Sequence, residues 1–196
     1  MPGADRLATA LGAIDAANAA DPVRIVVDGV ERPKELVHAD AVERWLRRLD
    51  PAPSEAQVLA ARAHHLRRWV VPRTDYPEGR AGYLRWRTDH KKRQAAEVRE
   101  VLVASGYDQA TIDEVADLVA KRGLGRVPAA QVHEDALCLT FLELQLDEVA
   151  ERLGDEKALD VLRRSVAKMS PAGVRLAASI DLSEHGRDLL ERAVGG

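Results

Sequence analysis

The chain has 196 residues, a formal net charge of −3, 46% hydrophobic residues and 31% charged ones. That length and apolar fraction are enough for one well-formed core and exclude wholesale disorder, and the slightly acidic balance excludes a general nucleic-acid coat protein. Ala, Leu, Arg and Glu are abundant, no segment reads as a secretory leader, and no apolar run reaches the ~20 residues of a membrane span, so an all-α protein of the cytoplasm is expected, with no membrane partner.

Leu7, Leu11 and Ile14 recur at the helical period and predict a first helix over 4–19. Asp21-Pro22 ends it, because the residue before proline disfavours helical backbone. Val23 to Val30 is β-branched around Asp28-Gly29, but its second arm is short before Pro33, which predicts an extended loop with at most one bridge. A second helix over about 34–49 carries Leu36, Val42, Trp45 and Leu46 on one face, with His38 near its start on the same side. Ser54 is a suitable N-cap for a third helix, Glu55 to about Val70, which is apolar on most of its circumference and therefore central.

Pro72 ends the third helix, and 74–82 is a loop. The fourth helix is expected from Tyr83 to about Ser105, with Gly106 just past its end. Thr111 is the expected cap of a fifth, which ends near Lys121-Arg122-Gly123. A sixth opens at Gln131 or Val132 and continues to about Leu144, and shorter segments follow at 147–153, 156–169, 171–179 and 183–194. No period of 20–50 residues repeats, which excludes a solenoid. The expected architecture is a single compact multi-helix domain over 1–196, with a core over about 5–180, a short C-terminal helix and a Gly-Gly tail.

Polar groups interrupt three of these apolar helices: His38 in the second, His64 and His65 in the third, Asp135 in the sixth. A buried imidazole or carboxylate without a partner costs ~1–3 kcal/mol, so three helices that turn such groups inward can satisfy them in one shared site. Imidazole and carboxylate together suit a divalent ion such as zinc, iron, nickel or manganese. A metal-free His–Asp hydrogen bond is the alternative, and adjacent histidines on a helix point ~100° apart, so His64 and His65 need not face one point. His133 and His185 read as surface groups, and Cys138, the single cysteine, as a buried and inert thiol.

Positive charge gathers beside the histidines. From Arg62 to Arg93 there are ten Arg/Lys against three Asp/Glu, together with two of the three tryptophans and two of the three tyrosines. Arg68, Arg73, Arg80 and Arg87 flank the 72–82 loop, and a guanidinium grips phosphate or carboxylate with two parallel N–H groups. Trp69, Tyr76, Tyr83 and Trp86 are placed to stack on a base or under an arginine. The Lys91-Lys92-Arg93 run reads as solvated surface. No Gly-rich phosphate loop, GxGxxG, CxxC, HExxH or GxSxG is present.

The order of His38, a histidine pair at 64–65 and a distant Asp135 on an all-helical core resembles the HD-domain metal-dependent phosphohydrolases, whose pattern is a His, a later His-Asp dipeptide and a distant Asp. This chain departs from it in carrying His64-His65, so an imidazole stands where a carboxylate is usual. A more specific resemblance covers roughly residues 5–180. Pro33-Lys-Glu-Leu36, His65-Leu-Arg-Arg-Trp69 with Pro72-Arg73, Tyr76-Pro77, Gly82-Tyr83-Leu-Arg-Trp86-Arg87 and Glu134-Asp135 resemble an uncharacterised family, domain of unknown function 4202. That family's pattern often has Gln at the position of His64, which favours His65 as a ligand, and it implies no activity.

The HD resemblance implies a metal-dependent hydrolase of a small phosphorylated or nucleotide-like anion. A divalent metal ion would be held by His38, His64, His65 and Asp135 and would lower the pKa of a bound water. Arg68, Trp69, Arg73, Tyr76, Arg80, Tyr83, Trp86 and Arg87 would bind the substrate, with Arg73 and Arg87 at the reacting group and Glu134 as general base. Two alternatives stand beside it: oxygen chemistry at the same metal, and a non-catalytic module that binds a nucleotide, RNA or a protein through the Arg/Trp face.

Overall fold

The computed structural model describes residues 3–27 and 29–195 and is all-α apart from one small hairpin. The elements are α1 (Gly3–Ala19), β1 (Arg24–Val27), β2 (Val30–Pro33), α2 (Lys34–Leu49), α3 (Glu55–Ala63), α4 (Gly79–Ala104), α5 (Gln109–Val119), α6 (Pro128–Leu153), α7 (Asp155–Val166), α8 (Pro171–Ala177) and α9 (Glu184–Val194). Asp28, half of the anticipated Asp-Gly turn, and Gly196 of the tail lie outside the described residues. No helix among the described residues is long and apolar enough to cross a membrane.

The hairpin is more regular than expected. β1 and β2 pair antiparallel from Arg24 opposite Pro33 to Val27 opposite Val30, a four-residue ladder rather than a single bridge. Pro33 is tolerated because it is the last position of a two-stranded ribbon. The hairpin returns the chain so that the buried Asp21 carboxylate accepts hydrogen bonds from Val23 N–H (2.9 Å) and Glu35 N–H (3.0 Å). Pro33, which precedes α2, offers no side-chain cap, so Asp21 satisfies an orphan amide of that helix from across the hairpin. The backbone of Glu35 is thereby fixed.

α3 is central, as its apolar circumference implies. Val58 and Ala61 pack into a cluster with α2, α6, α7 and α9, while Leu59, Ala60 and Ala63 pack into a second cluster with α1, α4 and α5. Its alanines let neighbours approach on both sides. Arg62 crosses the same region. Its buried guanidinium reaches Asp15 on α1 (Nε, 3.0 Å) and Asp40 and Glu43 on α2 (2.6 and 3.4 Å). Arg62→Ala is expected to lower stability by about 2 kcal/mol. That is less than the ~3–5 of a fully buried pair, because the carboxylates left behind remain partly solvated. An unchanged denaturation midpoint would contradict this role.

α3 stops at Ala63, well short of the expected Val70. Arg67 adopts left-handed backbone (φ 49°). The buried Asn18 side chain accepts from Arg67 N–H (3.2 Å) and donates to Arg62 O (3.4 Å), while the Arg93 guanidinium donates to Arg67 O (2.9 Å). The released backbone groups are thus satisfied without helix. Tight 3₁₀ turns follow at Arg68–Val70 and Arg73–Asp75. α4 begins at Gly79, earlier than expected. Gly82 permits this, since a Cβ there would collide with the Pro77 carbonyl. Asp108, not Thr111, caps α5, accepting from Thr111 N–H at 2.8 Å. α6 runs unbroken to Leu153 because nothing between Leu144 and Asp147 interrupts helix, and Gly154 (φ 77°) ends it.

Candidate metal centre

Glu35 and His38 lie one turn apart on α2, and the turn that ends α3 carries His64 and His65. His65 Nδ1 is 3.0 Å from Glu35 Oε2, and Arg68 Nη1 is 3.3 Å from His65 Nε2. A guanidinium only donates, so Nε2 accepts and Nδ1 carries the proton that faces Glu35. The His38 ring stacks on His65 with centroids 3.8 Å apart. His64 follows at 4.9 Å from His65, and His133 of α6 meets His64 edge-on at 5.3 Å. Four imidazoles from three parts of the chain therefore form one column. Within it, ligand atoms of Glu35, His38 and His65 all lie within 4.8 Å of one another.

Burial drives the His38, His64 and His65 imidazoles well below their ordinary pKa, helped by His65 at His38, Lys121 at His64 and Arg68 at His65. Burial, with Lys121, takes His133 down to about 3. All four are neutral at physiological pH, the form in which imidazole binds metal. Burial also raises the Glu35 carboxyl, against the opposing pull of His38 and Arg68. His38 Nδ1, His64 Nδ1 and both ring nitrogens of His133 are buried without a hydrogen-bond partner among the described residues. Each such atom costs about 1–3 kcal/mol, an expense natural cores avoid unless a site needs it.

Beside the column, Lys121 holds left-handed backbone (φ 57°) just after α5. Its ammonium is 3.0 Å from Glu134 Oε2, and Lys168 lies 3.7 Å from Glu134 Oε1. Burial pushes the Glu134 carboxyl up, but Lys121 and Lys168 outweigh it and hold the group below its ordinary pKa. A carboxylate between two ammonium groups acts as their counterion. Asp135 is placed elsewhere. It accepts from Gln131 Nε2 (3.0 Å) and Ser170 N–H (2.8 Å), with the Ser170 hydroxyl on its other oxygen. These bonds seat the N-cap of α8, and Asp135 is absent from the group of converging ligand atoms.

Of the expected arginines, Arg68 alone touches the histidines. Its guanidinium lies 4.6 Å over the Trp86 ring and forms no ion pair among the described residues. Burial lowers its pKa, with Glu35 opposing. Trp86 Nε1 and His90 Nε2 both donate to the Val71 carbonyl, at 3.0 and 2.8 Å, which fixes the platform under Arg68. Arg87 is half-buried over Tyr83 (5.7 Å). Arg73 instead donates to the carbonyls of Tyr76 (2.9 Å), Pro77 (2.8 Å) and Gly79 (3.3 Å), and the Tyr76 hydroxyl donates to Asp89 (3.0 Å). These two hold the 72–82 loop together. Trp69 is half-buried, whereas Arg80 and Tyr83 are exposed.

The family model described as "Domain of unknown function (DUF4202)" matches residues 8–190. The chain belongs to this family. No curated protein and no solved structure matches it. The DUF4202 match spans every residue of the histidine column, together with Glu35, Arg68 and Lys121.

Several members of this candidate site are absent from the sequence expectations. Glu35 carries a readable signal, a carboxylate and an imidazole at i and i+3 (Glu35, His38) on one helix face. His133, expected at the surface, is 2% exposed, because α6 turns that face inward toward the end of α3. Lys121 has no sequence signal at all, since only its left-handed backbone aims it at Glu134. The other two minor expectations agree with the structure: Cys138 is buried with its pKa raised to about 11, chiefly by that burial, and His185 is exposed, facing Asp155 at 3.2 Å.

Proposed function

We propose that the chain is a divalent-metal-dependent hydrolase of a small phosphorylated or nucleotide-like anion, with Glu35, His38 and His65 as the metal ligands. The observation that carries this is the convergence of two neutral imidazoles and a carboxylate within 4.8 Å, with His38 Nδ1 buried and without a hydrogen-bond partner among the described residues. Nitrogen and oxygen ligands sit about 2.0–2.2 Å from zinc, so atoms sharing one ion stand about 3–4 Å apart. The group would accept an ion once the His38 and His65 rings, stacked 3.8 Å apart, rotate to turn their nitrogens to one point, with the Nδ1 proton of His65 displaced. Three protein ligands leave positions open for water and substrate, and a bound divalent ion would supply an acidified water and a polarised phosphoryl oxygen.

Arg68 would take the substrate's anionic oxygens. It is adjacent to His65, forms no ion pair with a carboxylate among the described residues, and is held by the Trp86 face. Burial around the column strengthens each of these electrostatic contacts. An HD-like relationship is supported by His38 and His65 meeting from separate elements, with Glu35 rather than Asp135 as carboxylate. Two histidines and one carboxylate also suit iron-dependent oxygen chemistry, and the bound element separates the two readings.

The test is phosphate release from a panel of nucleotides and sugar phosphates by protein loaded in turn with manganese, zinc, nickel or ferrous iron. Activity should vanish on chelation and return with the ion. Arg68→Ala should raise KM by about tenfold or more with metal content unchanged. No phosphate release with any ion, or a wild-type KM in Arg68→Ala, would contradict the proposal.

A further inference from the structure

Between α4 and α5 lies a groove of about 320 Å³ whose charged lining is cationic throughout: Lys91, Lys92, Arg99 and Arg122 over a floor of four alanines. At its rim Arg99 pairs with Asp113 (2.5 Å) and Arg122 with Asp117 (2.8 Å). Lys91 and Lys92 form no ion pair among the described residues. Lys91 is half-buried, and burial together with Lys121, Arg87 and Lys168 disfavours its charge while Glu134 favours it. Glu134 is already held by Lys121 and Lys168. Half-burying the Lys91 ammonium in a groove lined by three further cations is unfavourable until an anion joins it.

We propose that this groove is an anion subsite separate from the metal centre, with Lys91 as the anchor for an anionic group of the substrate other than the one at Arg68, and the alanine floor receiving the apolar part of the molecule. The assignment of turnover rests on the hydrolase reading above, whereas anion binding in the groove does not require the metal.

The experiment is calorimetric titration of the metal-free full chain with inorganic pyrophosphate at low salt, where electrostatic contacts are least screened. Wild type should bind. Lys91→Glu and Lys91→Ala should each weaken binding, the former by about tenfold or more, while Lys157→Glu, the same charge change on the exposed face of α7, stays within about twofold. Absence of binding by wild type at millimolar pyrophosphate overturns the proposal, as does equal weakening by Lys91→Glu and Lys157→Glu. So does binding that survives Lys91→Glu but is lost in Arg68→Ala, which places the anion at the histidine column instead. A chain that takes up no metal yet binds pyrophosphate through Lys91 removes the hydrolase reading and leaves the groove standing.

Discussion

Asp135→Ala is expected to destabilise the fold by about 3 kcal/mol while leaving metal affinity unchanged. The side chain is 1% exposed and satisfies three donors: Gln131 Nε2, Ser170 N–H and the Ser170 hydroxyl. Removing it strands these groups, each at a cost of about 1–3 kcal/mol where it stays dry. It also loosens the Ser170 cap on Gly173 N–H (3.1 Å), and with it the start of α8. The packing leaves no slack, since a Cβ on Gly173 would lie 2.8 Å from the Asp135 carboxyl carbon. Denaturant unfolding and metal analysis on the same preparation check both halves. A stably folded Asp135→Ala protein that has lost its metal would return Asp135 to the ligand set.

His38→Ala is expected to do the reverse. Its metal-free form should unfold close to wild type, because the substitution removes a buried, unpartnered Nδ1 along with the ring's packing on His65, and the two effects oppose each other. Metal affinity should fall by at least about 100-fold, more than the 10–100-fold typical of a group that only supports a ligand. Metal at about 1,000 times Kd stabilises a folded protein by about 4.1 kcal/mol, so the wild-type melting point should rise on loading and that of His38→Ala should not. Equal metal-induced shifts in the two proteins would show that His38 is packing alone.

The helices were legible because their signals are local. Apolar residues at the helical period place α1 and α2, and Ser54 caps α3. The all-round apolar face of α3 marked it as central, and it feeds both clusters. Its early end was not legible, because the break at Arg67 depends on Asn18 of α1 and Arg93 of α4, both distant in sequence. The site shows the same division. His38, His64 and His65 stand out as polar groups lodged in apolar runs and Arg68 as part of the adjoining arginine cluster, and these four do come together. Asp135 met the same criterion, yet its partners are Gln131 and Ser170, since burial dictates that a carboxylate be satisfied without specifying by what. The Lys91 run looked like solvated surface in sequence. Only the packing of α4 against α5 half-buries Lys91 in a groove.

The most direct test of the metal centre is elemental analysis by mass spectrometry of the untagged chain, purified without chelator, beside Glu35→Gln. The account predicts close to one divalent ion per chain in wild type and a large loss in Glu35→Gln, with the element deciding between hydrolysis and oxygen chemistry. A wild-type chain that holds no ion even after incubation with zinc, manganese, nickel and ferrous iron would contradict it. The Glu35–His65 contact would then be a closed hydrogen bond inside a histidine-rich core.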